Sequence, residues 1–139
     1  MQGDQSGMVV ATCSDRRIQA EELLDLYASE PWWPERSLED VSYILQNHFA
    51  VGAWDGSRLV GFARVVSDGR FRAYIEDVLV LEEYRGRSIG TKLMEAAKDS
   101  LRDIHVVTLF CQPKLSAYYT RLGFKEFTRQ VVMHLRNVR

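Results

Sequence analysis

The sequence predicts a single mixed α/β domain with a mostly antiparallel sheet of six to seven strands, about four helices and one parallel crossover. Apolar residues recur with a helical period in residues 20–48. Strand-like runs joined by turn signals follow in residues 49–80, and an amphipathic helix then separates two apolar strands. A strand–helix–strand unit of this kind forms a right-handed parallel crossover. The 139 residues suffice for one hydrophobic core and are too few for two.

One strand and two helices are predicted at the start of the chain. Residues 8–13 form a β-branched run that predicts the first strand, and the polar residues 1–7 before it are expected to be a disordered leader. The apolar stripe of the first helix consists of Ala20, Leu23, Leu24 and Tyr27. Ser37 and Asp40 have the spacing of a capping box, which opens a second helix. The apolar face of that helix consists of Val41, Ile44, Leu45 and His48.

Three strands are predicted in the middle of the chain. Residues 49–54 and 58–66 are strand-like, and the Asp55-Gly56 pair between them favours a tight hairpin. The Asp68-Gly69 pair marks a second turn, after which residues 71–80 have the composition of a third strand. These segments therefore predict an antiparallel meander.

The remaining residues are predicted to return to alternating helix and strand. A long helix is expected at residues 88–103, and the continuous apolar run at residues 106–111 is typical of a central strand. A short helix at residues 115–122 would end at Gly123, which suits the position after a helix C-terminus. Residues 125–135 are expected to close the chain in β structure.

Composition narrows the class of protein. The formal net charge of −1 gives no overall electrostatic case for a nucleic-acid partner. No stretch approaches the roughly 20 apolar residues of a membrane span, and the first residues lack the apolar run of a signal peptide. Cys13 and Cys111 lie far apart, which favours a reducing compartment. We expect a cytoplasmic protein with no membrane partner, whose residues 8–139 form one domain.

Metal chemistry is not expected. The three histidines have no spacing typical of metal ligands, and the chain contains no HExxH motif and no Cys/His cluster. We therefore predict no metal site.

The segment with the strongest chemical signal is residues 85–90 (RGRSIG), where a glycine-punctuated turn opens the long helix. The first N–H groups of a helix have no partners inside it, and the helix dipole places roughly +0.5 charge there. Gly86 and Gly90 would let an anion approach the backbone, and Arg85 and Arg87 add positive charge. The sequence therefore predicts a phosphate or pyrophosphate site.

Other phosphate and nucleophile motifs fit this turn less well. The two glycines are too close for a Walker A loop, and the GxGxxG of a Rossmann fold is absent. Residues 86–90 formally match GxSxG, so a small serine hydrolase with Ser88 as nucleophile is an alternative. Asp99 or Asp103 and His134 follow in the order such a triad needs, but charged residues separate the last apolar strand residue from Ser88.

Two segments resemble the GNAT superfamily of N-acetyltransferases. Residues 85–90 match the family's [RQ]-x-x-G-x-[GA] at Arg85 and Gly90, with Ser88 in place of the usual middle glycine. Residues 118–124 (YYTRLGF) resemble the family's FYxKLGF segment. The predicted order of elements is also similar to a GNAT-like domain from residue 8 onward. The resemblance implies binding of acetyl-CoA as co-substrate and transfer of its acetyl group to a primary amine.

The resemblance also implies which residues hold the cofactor. The backbone of Leu79 and Val80 would pair with the pantetheine arm, and Gln112 stands where many relatives have an Asn that bonds the cofactor. Arg121 would reach a phosphate or remain an exposed arginine. The pyrophosphate would be held by Arg85, Gly86, Arg87, Ser88, Ile89 and Gly90.

Catalytic residues are expected on the strand before this turn and on the last helix. Glu76 or Asp77 would accept the proton of the amine, directly or through water. Strand alternation places these two side chains on opposite faces, and a bulge would swap which of them faces the cleft. By resemblance, Tyr119 would protonate the departing thiolate of coenzyme A.

The sequence leaves several alternatives for the amine acceptor and for the oligomeric state. Trp32 and Trp33 lie in the loop that borders the acceptor site in GNAT folds, where one ring would attract an ammonium or pack as a lid. The acceptor would be a small-molecule or peptide amine. Many relatives are dimers, so a homodimer is one expectation. A GNAT-like module that binds acyl-CoA without catalysis is an alternative to an enzyme.

Overall fold

The structure, a computed structural model, describes residues 7–30 and 36–137, and its helices cover both faces of one sheet. The strands are β1 (Met8–Thr12), β2 (Phe49–Asp55), β3 (Arg58–Ser67), β4 (Arg72–Val80) and β5 (Val106–Thr108). The helices are α1 (Ala20–Ala28), α2 (Leu38–Asn47), α3 (Ile89–Ser100) and α4 (Ser116–Arg121). Of the expected leader, residues 1–7, all but Gly7 lie outside the described residues, and so do the two tryptophans, Trp32 and Trp33.

Sheet topology confirms the predicted meander and its crossover. The strands lie in the order β1-β2-β3-β4-β5, and each of the first three pairs is antiparallel. The last pair, β4 and β5, is parallel, and α3 connects them. Within the described part of the chain the sheet has five strands, fewer than the six to seven predicted.

Two apolar clusters, one on each side of the sheet, hold the helices against it. On one side Leu23 and Tyr27 of α1 and Val41 of α2 pack with Trp54 and Phe62 of the sheet, and each is at most 1% exposed. On the other side the buried residues of α3 pack on the sheet; these are Leu93, Met94 and Ala97. Burying a large apolar side chain stabilises the fold by about 1.5–3 kcal/mol, so these clusters set the fold.

Local signals in the sequence form as predicted. Ser37 accepts the N–H of Asp40 at 3.1 Å, and the Asp40 carboxylate accepts the N–H of Ser37 at 3.1 Å, which completes the capping box of α2. Gly56 in the first hairpin has a φ of 61°, which a glycine adopts without strain. Gly123 follows α4 with a φ of 101°, as expected beyond a helix C-terminus.

The last part of the chain differs from the prediction. Residues 106–111 were expected to be a central strand, but β5 has only three residues and lies at the edge of the sheet. Residues 125–135 were expected in β structure, whereas residues 124–137 contain neither strand nor helix. An apolar, β-branched sequence favours a strand, but a strand forms only where it finds a partner. Among the described residues, 109–111 and 125–135 have none.

Candidate active site

The site begins where β4 and β5 diverge. These strands pair only at Arg72–Tyr74 against Val106–Thr108, so the second half of β4 has no partner on that side among the described residues. The N–H of Leu81 donates to Val60 of β3, and alternation then turns the polar groups of Val80 toward the open side. The carbonyl of Val80 does accept a bond from the Nε of Arg85 there, at 3.0 Å. Extended backbone is thus available for an extended ligand.

The backbone polar groups of Leu79 and Val80 point in opposite directions, although both residues were predicted to contact the cofactor. By the same alternation the polar groups of Leu79 face β3. Its carbonyl oxygen would lie 3.3 Å from a Cβ placed on Gly61 of that strand. The side chain of Leu79 is 2% exposed and belongs to the apolar cluster under α1. Of the two, Val80 is the residue whose backbone faces the open side.

A β-bulge shapes the middle of β4. Arg64 of β3 pairs with Glu76 of β4, and Phe62 of β3 pairs with Leu79 of β4. The step between these pairs is two residues along β3 and three along β4, so β4 carries one extra residue. Asp77, inside this step, has a φ of 57°, a conformation that is uncommon for residues other than glycine. The bulge changes the direction in which the following side chains point.

Glu76 and Asp77 lie on the same face because of this bulge, and simple alternation is wrong for the pair. The Nη2 of Arg64 lies 3.1 Å from Oε1 of Glu76, and its Nε lies 3.0 Å from Oδ2 of Asp77. One guanidinium therefore holds both carboxylates. Arg64 did not emerge from the sequence as a functional candidate, although a charge inside the apolar run LVGFARVV was a usable signal.

The two carboxylates have different surroundings. The Asp77 side chain is 1% exposed, accepts a 2.7 Å bond from the Tyr27 hydroxyl, and lies 4.0 Å from Nη2 of Arg36. Its second oxygen, Oδ1, is buried without a hydrogen-bond partner in the part of the chain that the structure describes. The Glu76 side chain is 24% exposed, and burial together with the charge of Asp77 raises the pKa of its carboxyl. Glu76 is thus the more accessible of the two carboxylates.

The turn before α3 lies at the surface of the protein. Residues 85–88 are exposed, and α3 begins at Ile89 without any side-chain cap and without an acidic residue in its first turn. Gly86 has a φ of 81°, and Ser88, the N-cap residue, is left-handed at φ 64° and ψ 17°. An uncapped helix N-terminus attracts anions through its free N–H groups and its dipole. The predicted turn therefore has the geometry of an anion site.

The two arginines of this turn contact the protein itself. The Nη2 of Arg85 lies 2.8 Å from Oε2 of Glu30, just beyond α1, while its Nε holds the carbonyl of Val80. The guanidinium of Arg87 lies 4.9 Å from the ring centroid of Tyr84, within the range of a cation–π contact. Arg85 thus stiffens the turn, and Arg87 adds positive charge at its exposed side.

Tyr119 lies half-buried on α4, among other aromatic rings. Its ring centroid is 5.0 Å from that of Tyr118 and 6.2 Å from that of Phe124. Burial raises the pKa of its phenol, so Tyr119 stays protonated at neutral pH. The hydroxyl of Tyr118 lies 2.8 Å from the Oγ1 of Thr91 in the first turn of α3. This bond, which the sequence did not predict, connects α4 to the start of the anion turn.

The other predicted site residues are at the periphery. Gln112 is exposed at the start of a short 3-10 turn, and Arg121 is exposed at the end of α4. Among the residues described, neither His134 nor an acidic side chain bonds to Ser88, so the arrangement of a serine hydrolase is not formed. No three His, Cys, Asp or Glu side chains in the described ranges are close enough to hold a metal ion.

A groove of about 340 Å³ opens at the start of β4. Tyr74 and Phe110 form one wall, with ring centroids 5.2 Å apart in an edge-to-face arrangement. Burial raises the pKa of Tyr74, and the charges of Glu76 and Asp77 add to the effect. The remaining lining residues are Val66, Ser67, Asp68, Arg72, Ala73 and Thr108.

Comparisons with known proteins agree on one family. The model of the acetyltransferase (GNAT) family matches residues 17–124. An uncharacterized N-acetyltransferase, ycf52, of Pyropia yezoensis is 33% identical over 118 residues, which cover 80% of this chain and 67% of that protein. The histone acetyltransferase TAP1 of Glycine max is 35% identical over 107 residues, 67% of this chain and 46% of that protein. The chain spans about half the length of the curated relatives it matches.

Solved structures show the same fold. A GNAT-family acetyltransferase from Streptococcus pneumoniae superimposes with a TM-score of 0.79 over 94% of this chain and 98% of that chain, at 24% identity. No helix within residues 7–30 and 36–137 has the length and apolar character needed to cross a membrane.

Proposed function

The chain belongs to the GNAT acetyltransferase family, and we propose that it transfers an acetyl group from acetyl-CoA directly to a primary amine. The observation that carries this proposal is the junction of two features: the uncapped N-terminus of α3 and the open edge of β4. The first suits a diphosphate and the second suits an extended, amide-bearing arm. Coenzyme A has both parts in one molecule.

The donor half of the site uses mainly backbone. The amides at Ile89 and Gly90 would receive the diphosphate, together with those of residues 86–88 before them, because no side chain caps this helix start. Val80 would bond the pantetheine arm from the open edge of β4. Arg85 acts by holding this turn against Val80 and Glu30, and Arg87 supplies charge from the exposed side.

Proton removal from the amine is assigned to Glu76. An alkyl ammonium with a pKa near ~10.4 costs roughly 4–5 kcal/mol to deprotonate at pH 7, so a nearby base is needed. Glu76 is the more exposed of the two carboxylates, and burial raises the pKa of its carboxyl. Asp77 is assigned a positioning role, because its buried carboxylate is bound by Tyr27 and Arg64.

The transfer step balances without any further reactant. The amine nitrogen attacks the thioester carbonyl, a C–N bond forms and the C–S bond breaks. Glu76 takes the first proton of the ammonium, directly or through a water molecule, and the neutral amine then attacks. The second nitrogen proton is lost once the C–N bond has formed, and through water it replaces the proton that Tyr119 gives up. Tyr119 gives a proton to the departing sulfur; a thiol has a pKa of about 8.5, so a phenol can protonate the thiolate at modest cost.

The acceptor would approach along this groove, whose wall residue Tyr74 precedes Glu76 by two positions on β4. Its wall of Tyr74 and Phe110 is apolar and aromatic, and an aromatic face also attracts an ammonium group. This supports an amine acceptor whose substituent is small or apolar enough for about 340 Å³. A peptide amine is a second candidate, since the related protein from Glycine max is named a histone acetyltransferase.

Calorimetric titration with acetyl-CoA, ATP and NAD tests the donor assignment. We expect saturable binding of acetyl-CoA and of free coenzyme A, and none of NAD at the same concentrations. Release of free thiol with a panel of aryl-alkyl amines, polyamines and lysine peptides then tests catalysis. A protein that ignores coenzyme A refutes the proposal, and one that binds it but acetylates no amine is a binding module instead.

A further inference from the structure

Arg64 is a buried arginine whose single guanidinium contacts two carboxylates. It lies on β3 inside an otherwise apolar run, and 8% of its surface is exposed. Its Nη2 lies 3.1 Å from Oε1 of Glu76, and its Nε donates to Oδ2 of Asp77 at 3.0 Å. A buried charge destabilises a fold unless it is paired. Arg64 thus connects the proposed base, Glu76, to the buried carboxylate of Asp77.

The contact with Arg64 involves one of the two carboxylate oxygens of Glu76. Oε1 faces the guanidinium, whereas Oε2 has no hydrogen-bond or ion-pair partner among the described residues. The side chain is 24% exposed, so a solvent molecule or a substrate can reach it. A glutamate that is free to rotate would have to be ordered before each proton transfer, and an oriented one would not. Arg64 therefore holds the base in one orientation.

Asp77 limits the effect of the same guanidinium on the charge of Glu76. An isolated pair of arginine and glutamate favours the ionised carboxylate, which makes the glutamate a weaker proton acceptor. Here the guanidinium also serves the Asp77 carboxylate, which lies on the same face. Burial and then the charge of Asp77 raise the pKa of the Glu76 carboxyl, while the charge of Arg64 lowers it. The two neighbours thus act on Glu76 in opposite directions.

Other ionisable groups face this cluster from α1, from both ends of α2 and from β4; they are Tyr27, Arg36, His48 and Tyr74. Burial raises the pKa of both phenols, so they stay protonated at neutral pH. Burial and then the charge of Arg64 lower the pKa of His48, so its imidazole is neutral at pH 7. Arg36 lies 4.0 Å from Oδ2 of Asp77 and affects Glu76 less than Arg64 does.

We propose that Arg64 and Asp77 act together as the positioning pair of the proton-accepting step. Arg64 directs Oε2 of Glu76 toward the amine, and Asp77 shares the guanidinium so that Glu76 can still accept a proton. The bulge of β4 makes this arrangement possible, because regular alternation would place Asp77 on the opposite face. The inference rests on the proposed role of Glu76 as base and adds two residues that act through it.

Carbon-13 NMR of the Glu76 side-chain carboxyl tests the pairing in the free protein, with the signal assigned by its loss in Glu76→Gln. We expect Asp77→Asn to lower the titration midpoint by about one pH unit, because a negative neighbour is removed. Arg64→Gln should raise it by about one pH unit, because a positive neighbour is removed. Asn tolerates the left-handed backbone of residue 77, so this variant should fold. Midpoints that stay unchanged or move in the same direction overturn the proposal.

Arg64→Lys separates orientation from charge and also serves if Arg64→Gln fails to fold. The lysine keeps the positive charge, but it lacks the planar fork that contacts both carboxylates. We expect the midpoint of Glu76 to stay within about 0.5 pH unit of the parent value. Turnover of acetyl-CoA with 2-phenylethylamine should fall about tenfold or more, because the base is no longer oriented. Parent-like turnover in a folded Arg64→Lys overturns the orienting role.

Kinetics with 2-phenylethylamine then separate this inference from the proposed function. The acid limb of kcat/KM should move down in pH for Asp77→Asn and up for Arg64→Gln, as the NMR midpoints do. Arg102→Gln is the matched control, since its side chain is 75% exposed and lies 3.3 Å from Asp99, and it should change neither quantity.

The two measurements fail in different ways. A parent protein that acetylates 2-phenylethylamine while the midpoints of the variants stay unchanged refutes the positioning pair alone. Opposite shifts of the midpoints with an unmoved acid limb refute Glu76 as the base, and the proposal with it. A parent protein that acetylates no amine of the panel refutes the proposed function, whatever the midpoints are.

Calorimetry with acetyl-CoA checks that the variants keep the donor site. The dissociation constant should stay within about twofold in each of them, because the lost groups act on the amine and not on the donor. Far-UV circular dichroism confirms that each variant is folded.

Discussion

The hydroxyl of Tyr27 donates a 2.7 Å hydrogen bond to Oδ2 of Asp77, which connects α1 to the bulge of β4. Both residues are buried, at 0% and 6% exposure. Burial raises the pKa of Tyr27, and the neighbouring carboxylate adds to the effect, so the phenol remains a donor throughout the neutral range. The bond therefore holds the helix face against the strand that carries Glu76.

Tyr27→Phe should lower the free energy of unfolding by about 1.5–3 kcal/mol, the usual contribution of a hydrogen bond to a charged group. The substitution keeps the ring in the apolar cluster and removes only the donor to Asp77. Urea unfolding followed by circular dichroism measures the change. Tyr43→Phe is the control, since Tyr43 is 63% exposed, and should stay within ~0.5 kcal/mol of the parent chain. Equal effects of the two variants would contradict this assignment.

Glu76→Gln should reduce kcat/KM at pH 7 by about 10²–10⁴-fold while acetyl-CoA affinity stays unchanged, because only the proton acceptor is lost. In the parent chain the pKa of Glu76 is raised, so its basic form is lost as the pH falls through a value above the ordinary 4.5. The acid limb of the kcat/KM profile should reflect that ionisation and disappear in the variant.

Glu95→Gln is the matched control for this prediction. Glu95 lies on α3, with its side chain 56% exposed and 3.3 Å from Nζ of Lys98. We expect unchanged kcat/KM and an unchanged acid limb. If Glu76→Gln behaves like this control, the base is another group or water alone.

Local signals predicted most of the fold, because each depends on residues close in sequence. The capping box of Ser37 and Asp40, the glycine turn at Gly56 and the stop at Gly123 all formed where expected. The final strands did not form, because pairing requires a distant edge and composition does not specify which edge. Residues 125–135 have the composition of a strand but pair with no strand among the residues that the structure describes.

In the candidate site, too, the features set by neighbouring residues were predictable and the contacts between strands were not. Turn chemistry placed residues 85–90 at the start of α3, as the structure has them. The common face of Glu76 and Asp77 was not predictable from alternation, because one bulge reverses it. In the sequence Arg64 is only a charge inside an apolar run, and its contact with both carboxylates depends on how β3 and β4 pair.

Ser88→Gly should stabilise the protein by about 0.5–1 kcal/mol. Ser88 is left-handed at φ 64°, a conformation that costs an L-residue roughly 1–2 kcal/mol and costs glycine almost nothing. Part of the stability gained by the substitution is lost again, because glycine raises the conformational entropy of the unfolded chain. The melting temperature should rise by about 2–3 °C, and acetyl-CoA affinity should be kept. Ser100→Gly, at the last residue of α3, should instead lower stability. A lower melting temperature for Ser88→Gly would refute the strain argument.

Tyr119→Phe should lower kcat at least tenfold and leave the dissociation constant of acetyl-CoA within about twofold, because the lost group acts on the leaving thiolate and not on binding. Burial raises the pKa of Tyr119 above its ordinary value of 10, so the acid form persists up to that pH and activity should not fall between pH 8 and 9.5 through this residue. Stopped-assay thiol release and calorimetry measure the two effects separately. Tyr118→Phe, which removes only the bond to Thr91, should cost stability and at most a few-fold of kcat. If the two variants exchanged these outcomes, Tyr118 would be the acid and Tyr119 a packing residue.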